Sequence, residues 1–592
     1  MFKDRFSTLI ILIIFLFFIQ SIFIINLQFF ENRYYKTLAE GNSYKKVIIP
    51  AVRGNIITSD SVIVATSKKY FSLFCNLDKL NITADNILDI SKIIETDPET
   101  INQMIGDAKR NQEREICLKN NLNIEDVSYI EENRNKFPEF DIRYQPKRFY
   151  PYNELYSHII GYVGKITGDE FLELKVKGYS ISDFIGKTGI EKSYETYLKG
   201  RNGIKYYEVD ITGNIVREVE QKNSLKKLNG YDLFISIDHR LQSYIDTLFK
   251  DFQSGTAIVI DVEKGAILSM YSKPSFDPNI FITGIRKDVW EFLRNNRLSP
   301  FLNRATNGLY PPGSVFKIIT FLVGLEEEKV DSNTFFQPCF GSIMISNRIF
   351  KCWNVHNELN LFDAFINSCD VYFYQLGMKV GVDEIYRGAG EIGFGELTGI
   401  DIFEESKGII PDSKFLNKKY GKNAWGSGHV ANISIGQGDI LVTPIQVASL
   451  FLCLANDGKI VQPHVVDSIK TKNGDLVYRY NKKVMREIKF EKKYLELLKK
   501  ALFNVVNSDN GTGIAARIDK SLGYISGKTG TAENSSGEPH AWFGSFYTDK
   551  TGKNRIAVVV VIENGGHGGD DPAKMTKMIV ERYIRITNGY EK

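Results

Sequence analysis

Hydrophobic residues are concentrated at the start of the chain. Residues 6–30 are 25 consecutive positions without a charge, rich in Ile, Leu and Phe. A helix of about 20 apolar residues spans a bilayer, so this run predicts an uncleaved membrane anchor. A cleaved signal peptide has a shorter apolar core, about 7–15 residues, and ends in small residues. Here the run passes into Leu27-Gln28-Phe29-Phe30-Glu31-Asn32-Arg33. Lys3 and Arg5 precede it with Asp4 between them, and Arg33 and Lys36 follow, so charge sets the orientation only weakly. No second run of comparable length follows, which leaves residues 31–592 on one side of the membrane.

The remaining pattern predicts two further regions. Residues 45–57 read as extended, and 85–140 are charged with helical spacing and with Asp, Glu and Asn at helix starts. Strand-like pieces lie at 205–209 and 215–219, and the polar stretch 220–227 marks a boundary. Beyond it come a strand at 233–237, a helix at 238–252, and strands at 255–262 and 265–272 joined by the turn Glu263-Lys264-Gly265. A mostly helical stretch extends to about residue 510, before strands at 524–531, 540–546 and 555–562. Strands at both ends of a region with helices between them predict an α+β sandwich. The expected divisions are a tail at 1–5, the anchor at 6–30, a mixed domain at 31–230 and a second domain at 231–592.

Composition changes this picture little. With 592 residues, 43% apolar and 25% charged, the chain is that of a folded protein with more than one core. Its 75 basic and 71 acidic residues leave a net charge of +4. No run alternates basic and aromatic residues, so nucleic acid is not an expected partner.

Candidate chemistry centres on Tyr310-Pro311-Pro312-Gly313-Ser314-Val315-Phe316-Lys317. A serine hydroxyl needs a neighbouring base to act as a nucleophile. Residues three apart share a helix face, so Lys317 can point its amine at Ser314. Two other Ser-x-x-Lys strings, Ser43/Lys46 and Ser224/Lys227, are bordered by further lysines and read as solvated surface. The sequence Lys528-Thr529-Gly530-Thr531 lies on an apolar strand, where a lysine and two hydroxyls can hold a carboxylate and the glycine admits a ligand close to the backbone. A second Gly-Lys-Thr-Gly, at 186–189, precedes a helix start and has no nearby nucleophile. Neither copy is a phosphate-binding loop, because Ile181 and Leu522 stand where the first glycine would be. Ser368-Cys369-Asp370 lies 54 residues after Ser314.

Cys339, Cys352, His356 and Cys369 fall in the pattern Cys-x12-Cys-x3-His-x12-Cys. These ligand types suit tetrahedral zinc, and a Cys339–Cys352 disulfide is the alternative in an oxidising compartment. Cys75, Cys117 and Cys453 lie among apolar residues and read as buried thiols.

Ser-x-x-Lys, Ser-x-Asp in place of Ser-Asp-Asn, and Lys-Thr-Gly occur here in the order found in serine β-lactamases and penicillin-binding proteins. The chain resembles a class B penicillin-binding protein over nearly its whole length, most like the penicillin-binding protein 2 subfamily of rod-shape elongation. The likeness extends to Pro50 with Arg53-Gly54, Gly186-Lys187-Thr188-Gly189-Ile190-Glu191-Lys192, Ser275-Phe276-Asp277-Pro278-Asn279, Asn303-Arg304-Ala305, Ile435-Gly436-Gln437-Gly438, Thr443-Pro444 and His540-Ala541-Trp542-Phe543. Asp370 departs from the asparagine common in the wider family and is usual in the elongation subfamily.

The resemblance implies an N-terminal transmembrane helix, an elongated non-catalytic pedestal of the dimerisation type, and a β-lactamase-like transpeptidase domain with an antiparallel sheet sandwiched by helices. It implies a peptidoglycan D,D-transpeptidase that makes 4→3 cross-links in cell elongation and is a target of β-lactams. Ser314 would be the nucleophile, Lys317 its base and Ser368 the proton shuttle. Asp370 and Lys528 would complete the catalytic set, while Thr529, Gly530 and Thr531 would bind substrate. Some members hold zinc through a His and a Cys thirteen residues apart, as His356 and Cys369 are; a structural zinc with Cys339 and Cys352 is the corresponding expectation, and no organic cofactor is expected. The implied partners are a stem peptide on lipid II-derived glycan, a SEDS-type membrane glycosyltransferase and other elongation-complex proteins. The implied location is the inner membrane, single-pass, with the catalytic domain in the periplasm. Two alternatives are a D,D-carboxypeptidase or β-lactamase-type hydrolase, with water as acceptor, and a non-enzymatic β-lactam sensor or scaffold.

Overall fold

The structure, a computed structural model, describes all residues except 1, 32–43, 78–83, 111–114, 180–182, 210–214, 221–222, 283, 423, 535–536 and 590–592. Arg33, Lys36 and Ser43 therefore lie outside the described residues. The chain divides into two compact units, residues 1–52 with 200–230, and residues 53–199 with 231–592.

In the first unit, the helix Phe2–Ile25 passes into a π-helical turn, Asn26–Phe30. Phe6–Phe29 is long and apolar enough to cross a membrane, and none of its most apolar window is buried against protein. Apolar side chains all around a helix suit a hydrocarbon surrounding. A three-stranded antiparallel sheet pairs Tyr44–Ile49 with Gly203–Val209, and the latter with Ile215–Val219.

The second unit corrects one expectation. Residues 85–140 are not wholly helical: helices Ala84–Ile93, Pro98–Arg110 and Ile124–Glu132 share the stretch with strand Glu115–Leu122, and strand Phe140–Phe149 follows. Both strands pair antiparallel with the 14-residue strand Ile63–Asn76. Asn120, in phase with Ile116, Leu118 and Leu122, interrupts their period-two signal, and the long neighbour supplies the ladder that local preference does not. Leu118 and Leu122 close a small core with Leu73, Ile90, Ile101 and Phe140.

Strand Asp232–Ile235 also has a larger context than the sequence suggests. It pairs parallel with Ile56–Ile57 and antiparallel with Val466–Lys470, in a seven-stranded sheet.

The main core is an antiparallel sheet of five strands: β1 (Gly255–Asp261), β2 (Ile267–Lys273), β3 (Gly523–Ala532), β4 (His540–Asp549) and β5 (Asn554–Ile562). Their order is β2-β1-β5-β4-β3. The predicted turn joins β1 to β2; Gly265 there has φ +76°, which a glycine adopts without strain. Helix α1 (His239–Leu248), capped by Asp238, packs on β2 and on the C-terminal helix Asp571–Thr587, which covers β4 and β5. Helix Pro444–Ala455, buried along its entire length, packs on β1, β4 and β5. β1 is buried at every position but its last, as a strand covered on both faces must be.

Candidate active site

Two close backbone approaches place the nucleophile turn. Tyr310 forms a bridge with Val442, and Gly313 N donates to Gly436 O at 3.0 Å. Gly313 has φ +53°, and a Cβ there would stand 2.6 Å from Thr531 O. Only glycine lets the turn lie this close to β3. Gly313–Phe316 is one 3₁₀ turn, and it runs into the apolar helix α2 (Lys317–Glu326), buried but for its last residue.

Lys317 is fully buried, and its Nζ donates to Ser368 O at 2.8 Å, Ser368 Oγ at 3.2 Å and Asp370 Oδ1 at 2.7 Å. Among the described residues no hydrogen bond joins Lys317 Nζ to Ser314 Oγ. The lysine is held from the Ser-Cys-Asp side instead. Ser368 has φ +52°, a left-handed conformation that presents both its carbonyl and its hydroxyl to one amine. Asp370 opens helix α3 (Asp370–Val380), where the positive end of the helix dipole favours a carboxylate. Burial nevertheless raises its pKa above the ordinary carboxylate value, against the pull of the Lys317 ammonium.

Strand β3 forms the other wall. Lys528 is fully buried, with Nζ 3.3 Å from Thr529 O. Burial, reinforced by the charge of Lys317, holds its pKa well below the ordinary lysine value. Thr529 Oγ1 lies 2.9 Å from Thr512 Oγ1, and Gln437 Nε2 donates to Thr531 O at 3.2 Å. A Cβ on Gly530 would meet Pro312 O at 2.9 Å. A groove of about 1080 Å³ brings together Ser314, Ser368, Asp370, Thr529 and Thr531. A second cavity, of about 700 Å³, lies behind α2 at Val323 and Arg387 and contains none of the three motifs.

Behind the nucleophile turn, Arg304 Nε and Nη2 donate to the two carboxylate oxygens of Glu563 at 2.9 and 3.1 Å, and Tyr310 OH donates to Glu563 Oε1 at 2.6 Å. This ties the start of the nucleophile loop to the residue after β5. The second Gly-Lys-Thr-Gly lies elsewhere, at the start of helix Gly189–Ser193. Its following Glu191 is fully buried and accepts from Arg53 Nε at 2.6 Å and Arg148 Nε at 2.5 Å. The buried ion pairs thus belong to Glu191, two residues beyond that copy.

The four proposed ligands also converge. One donor atom from each of Cys339, Cys352, His356 and Cys369 lies within 4.8 Å of every other. His356 Nδ1 stands 3.6 Å from Cys339 Sγ and 3.5 Å from Cys352 Sγ. Tetrahedral zinc with ordinary bond lengths places a nitrogen and a sulfur about 3.6 Å apart. The donor set therefore fits a metal ion. Hydrogen bonding from Cys369, then from His356, lowers the pKa of the Cys352 thiol, while the same Cys352–Cys369 contact raises that of Cys369 and burial raises that of Cys339, so one thiolate is favoured in the cluster. All six cysteines are free, so the Cys339–Cys352 disulfide is not formed. Cys352 Sγ also accepts from Asp370 N at 3.3 Å, which links the cluster to the second motif.

Residues 255–581, more than half of the chain, match the family model of the penicillin binding protein transpeptidase domain. The chain belongs to this penicillin-binding protein family. Residues 48–234 match the penicillin-binding protein dimerisation domain. The peptidoglycan D,D-transpeptidase MrdA of Haemophilus influenzae is 31% identical over 588 residues, covering 95% of this chain and 88% of that protein. The MrdA of Escherichia coli is 29% identical, covering 92% and 88%. Among solved structures, the complex between penicillin-binding protein 2 and MreC from Helicobacter pylori matches with TM-score 0.79 and 28% identity over 93% of this chain and all of that one. Pseudomonas aeruginosa penicillin-binding protein 2 in complex with WCK 5153 matches with TM-score 0.68 and 27% identity, covering 91% and 96%.

Within this penicillin-binding protein, the groove also contains Thr512 and Trp353, which sequence reasoning did not single out. Thr512 carries no motif, and Trp353 sits between two proposed metal ligands. Only the folded chain brings either one to the serine.

Proposed function

We infer that this protein is a membrane-anchored serine peptidoglycan D,D-transpeptidase of cell-wall synthesis. The observation that carries the reading is the single groove that brings Ser314, Ser368 and Asp370 together with Thr529 and Thr531 of β3. Ser314 Oγ attacks the carbonyl of the penultimate D-alanine, with Lys317 as its general base. The N–H groups of Ser314 and Thr531 face the developing oxyanion; donors of this kind are worth about 10²–10³-fold in rate. Lys528, Thr529 and Thr531 hold the terminal carboxylate. The C–N bond breaks, Ser368 relays the proton to the leaving D-alanine amine, and the acyl group stays on Ser314. An amine of a neighbouring stem peptide then takes the acyl group, giving a 4→3 cross-link.

The Cys/His cluster would hold zinc through Cys339, Cys352, His356 and Cys369. The ion would brace the second motif, since Cys369 lies between Ser368 and Asp370. The apolar helix at 6–29 supports a single-pass anchor, and the transpeptidase reading would put the catalytic domain on the periplasmic side, where the substrate lies. The likeness to penicillin-binding protein 2 supports work in the elongation complex beside a SEDS-type glycosyltransferase.

Fluorescent penicillin tests the reading directly. The full-length protein is expected to be labelled and its Ser314→Ala variant is not. With pentapeptide donor and an amine acceptor, the cross-linked product should form alongside released D-alanine. Labelling that survives Ser314→Ala, or release of D-alanine with no transfer to any amine, would overturn it.

A further inference from the structure

The hairpin Ser342–Ile345 with Arg348–Lys351 carries apolar residues on both faces. Its inward face carries Ile343 opposite Phe350, whose ring meets Tyr374 edge-on at 5.5 Å. On its outward face Met344 stands directly opposite Ile349, and these side chains are 61% and 65% exposed. A two-stranded hairpin packed on one side ordinarily shows polar residues on the other, and a contiguous exposed apolar patch marks a contact surface.

The patch continues into the catalytic groove, which Ile349 and Trp353 both line. Trp353 is 58% exposed, yet its Nε1 is already committed, donating to Asn367 O at 3.2 Å and Ser368 O at 3.3 Å. The indole is thus held rigidly and offers only its faces. Rigid aromatic faces in a groove bind apolar faces of ligands at little entropic cost. The groove, about 1080 Å³, is at the upper end of pockets that hold whole drug-sized ligands, far larger than two alanines need.

We propose that Trp353, Ile349 and Met344 form the binding track of the acyl acceptor, a second peptidoglycan strand laid across the hairpin. The proposal rests on the transpeptidase reading above. The acceptor amine must attack where the leaving amine departed, and both need the Ser368 relay. Trp353 is the side chain that joins that relay to the apolar track. In the step itself the amine lone pair forms the new amide bond with the acyl carbon. The Ser314 ester bond breaks, and the amine's proton passes through Ser368 and Lys317 to Ser314 Oγ.

The test compares transfer with hydrolysis in the full-length protein, using pentapeptide-bearing glycan strands as donor and two acceptors: glycan strands with stem peptides, and a free D-amino acid. Trp353→Leu, and separately the surface change Ile349→Ser with Met344→Ser, are expected to lower the transfer-to-hydrolysis ratio roughly fivefold or more with strand acceptor. The KM for that acceptor should rise. The ratio with the free D-amino acid should hold in the Ile349→Ser with Met344→Ser variant, which leaves the Trp353 bond to Ser368 O intact. Equal losses with both acceptors would mean that the hairpin only supports the site, and no loss would mean that the face serves something else, such as a protein partner; either overturns the proposal. The exposed pair Ile349 and Met344 keeps the test valid if Trp353→Leu fails to fold. Wild-type protein that neither binds penicillin nor transfers to any amine would instead overturn the transpeptidase reading.

Discussion

Lys317 Nζ lies 2.7 Å from Asp370 Oδ1, and the lysine is fully buried while the carboxylate is 16% exposed. The pair ties the helix after the nucleophile to the first turn of α3. Taking one partner from a buried ion pair leaves a charge without compensation, at about 3–5 kcal/mol. Asp370→Ala is expected to cost that much, whereas Asp370→Asn, which still accepts a hydrogen bond, should cost about 1–3 kcal/mol. Denaturant unfolding of the two variants checks the order; equal losses would show that the hydrogen bond the asparagine can still accept contributes nothing at this position.

Gly313→Ala should be far more damaging than its size suggests. Its Cβ would stand 2.6 Å from Thr531 O, in a left-handed conformation. The turn must then retreat from β3 and pull the Ser314 and Thr531 N–H groups apart. Penicillin acylation is expected to slow by about 10²–10³-fold. Stopped-flow acylation checks this; a rate within twofold of wild type, with intact folding, would contradict the role given to the turn.

The Cys/His cluster predicts a metal-dependent fold. Purified protein should contain about one zinc per chain. Strong chelation, or Cys369→Ser, should remove it, lower the Tm and slow acylation, since Asp370 N donates to a proposed ligand. Elemental analysis with and without the substitution decides this; metal-free protein with undiminished Tm would refute it.

His158 predicts a loss of stability in acid. Burial, first among its causes, lowers its pKa to about 4. Between pH 6.5 and 4 the unfolded chain binds a proton that the native imidazole refuses, so stability falls as pH falls. The full effect is about 3 kcal/mol, reached near pH 4 and absent above about pH 7. Unfolding free energies of the wild type and His158→Phe across this range check it: the substitution should flatten the slope.

Much of the site was legible along the chain. Ser314, Lys317, Ser368, Asp370 and Lys528 to Thr531 sit in short motifs whose order is itself informative, and the groove does gather Ser314, Ser368, Asp370, Thr529 and Thr531. The five strands of the main sheet were also readable, because apolar runs with turn residues at their ends are local signals. Strand Glu115–Leu122 was not, because a neighbour distant in sequence supplies its hydrogen bonds. The partners of Lys317, Ser368 and Asp370, were not legible for a related reason. Helix spacing says which residues share a face, and only packing says which partner a buried amine meets.

The sequence by itself determined the apolar N-terminal helix, the α+β sandwich, the order of the three motifs and the spacing of the Cys/His residues. These follow from periodicity, composition and spacing along one dimension. Only the tertiary structure decided that Lys317 is held by Ser368 and Asp370, that Gly313 must be glycine, and that Trp353 faces the groove. Each of those depends on the close approach of segments separated by tens to hundreds of residues. Hydrogen-bond range and steric contact are fixed by distances in space, on which separation along the chain places almost no constraint.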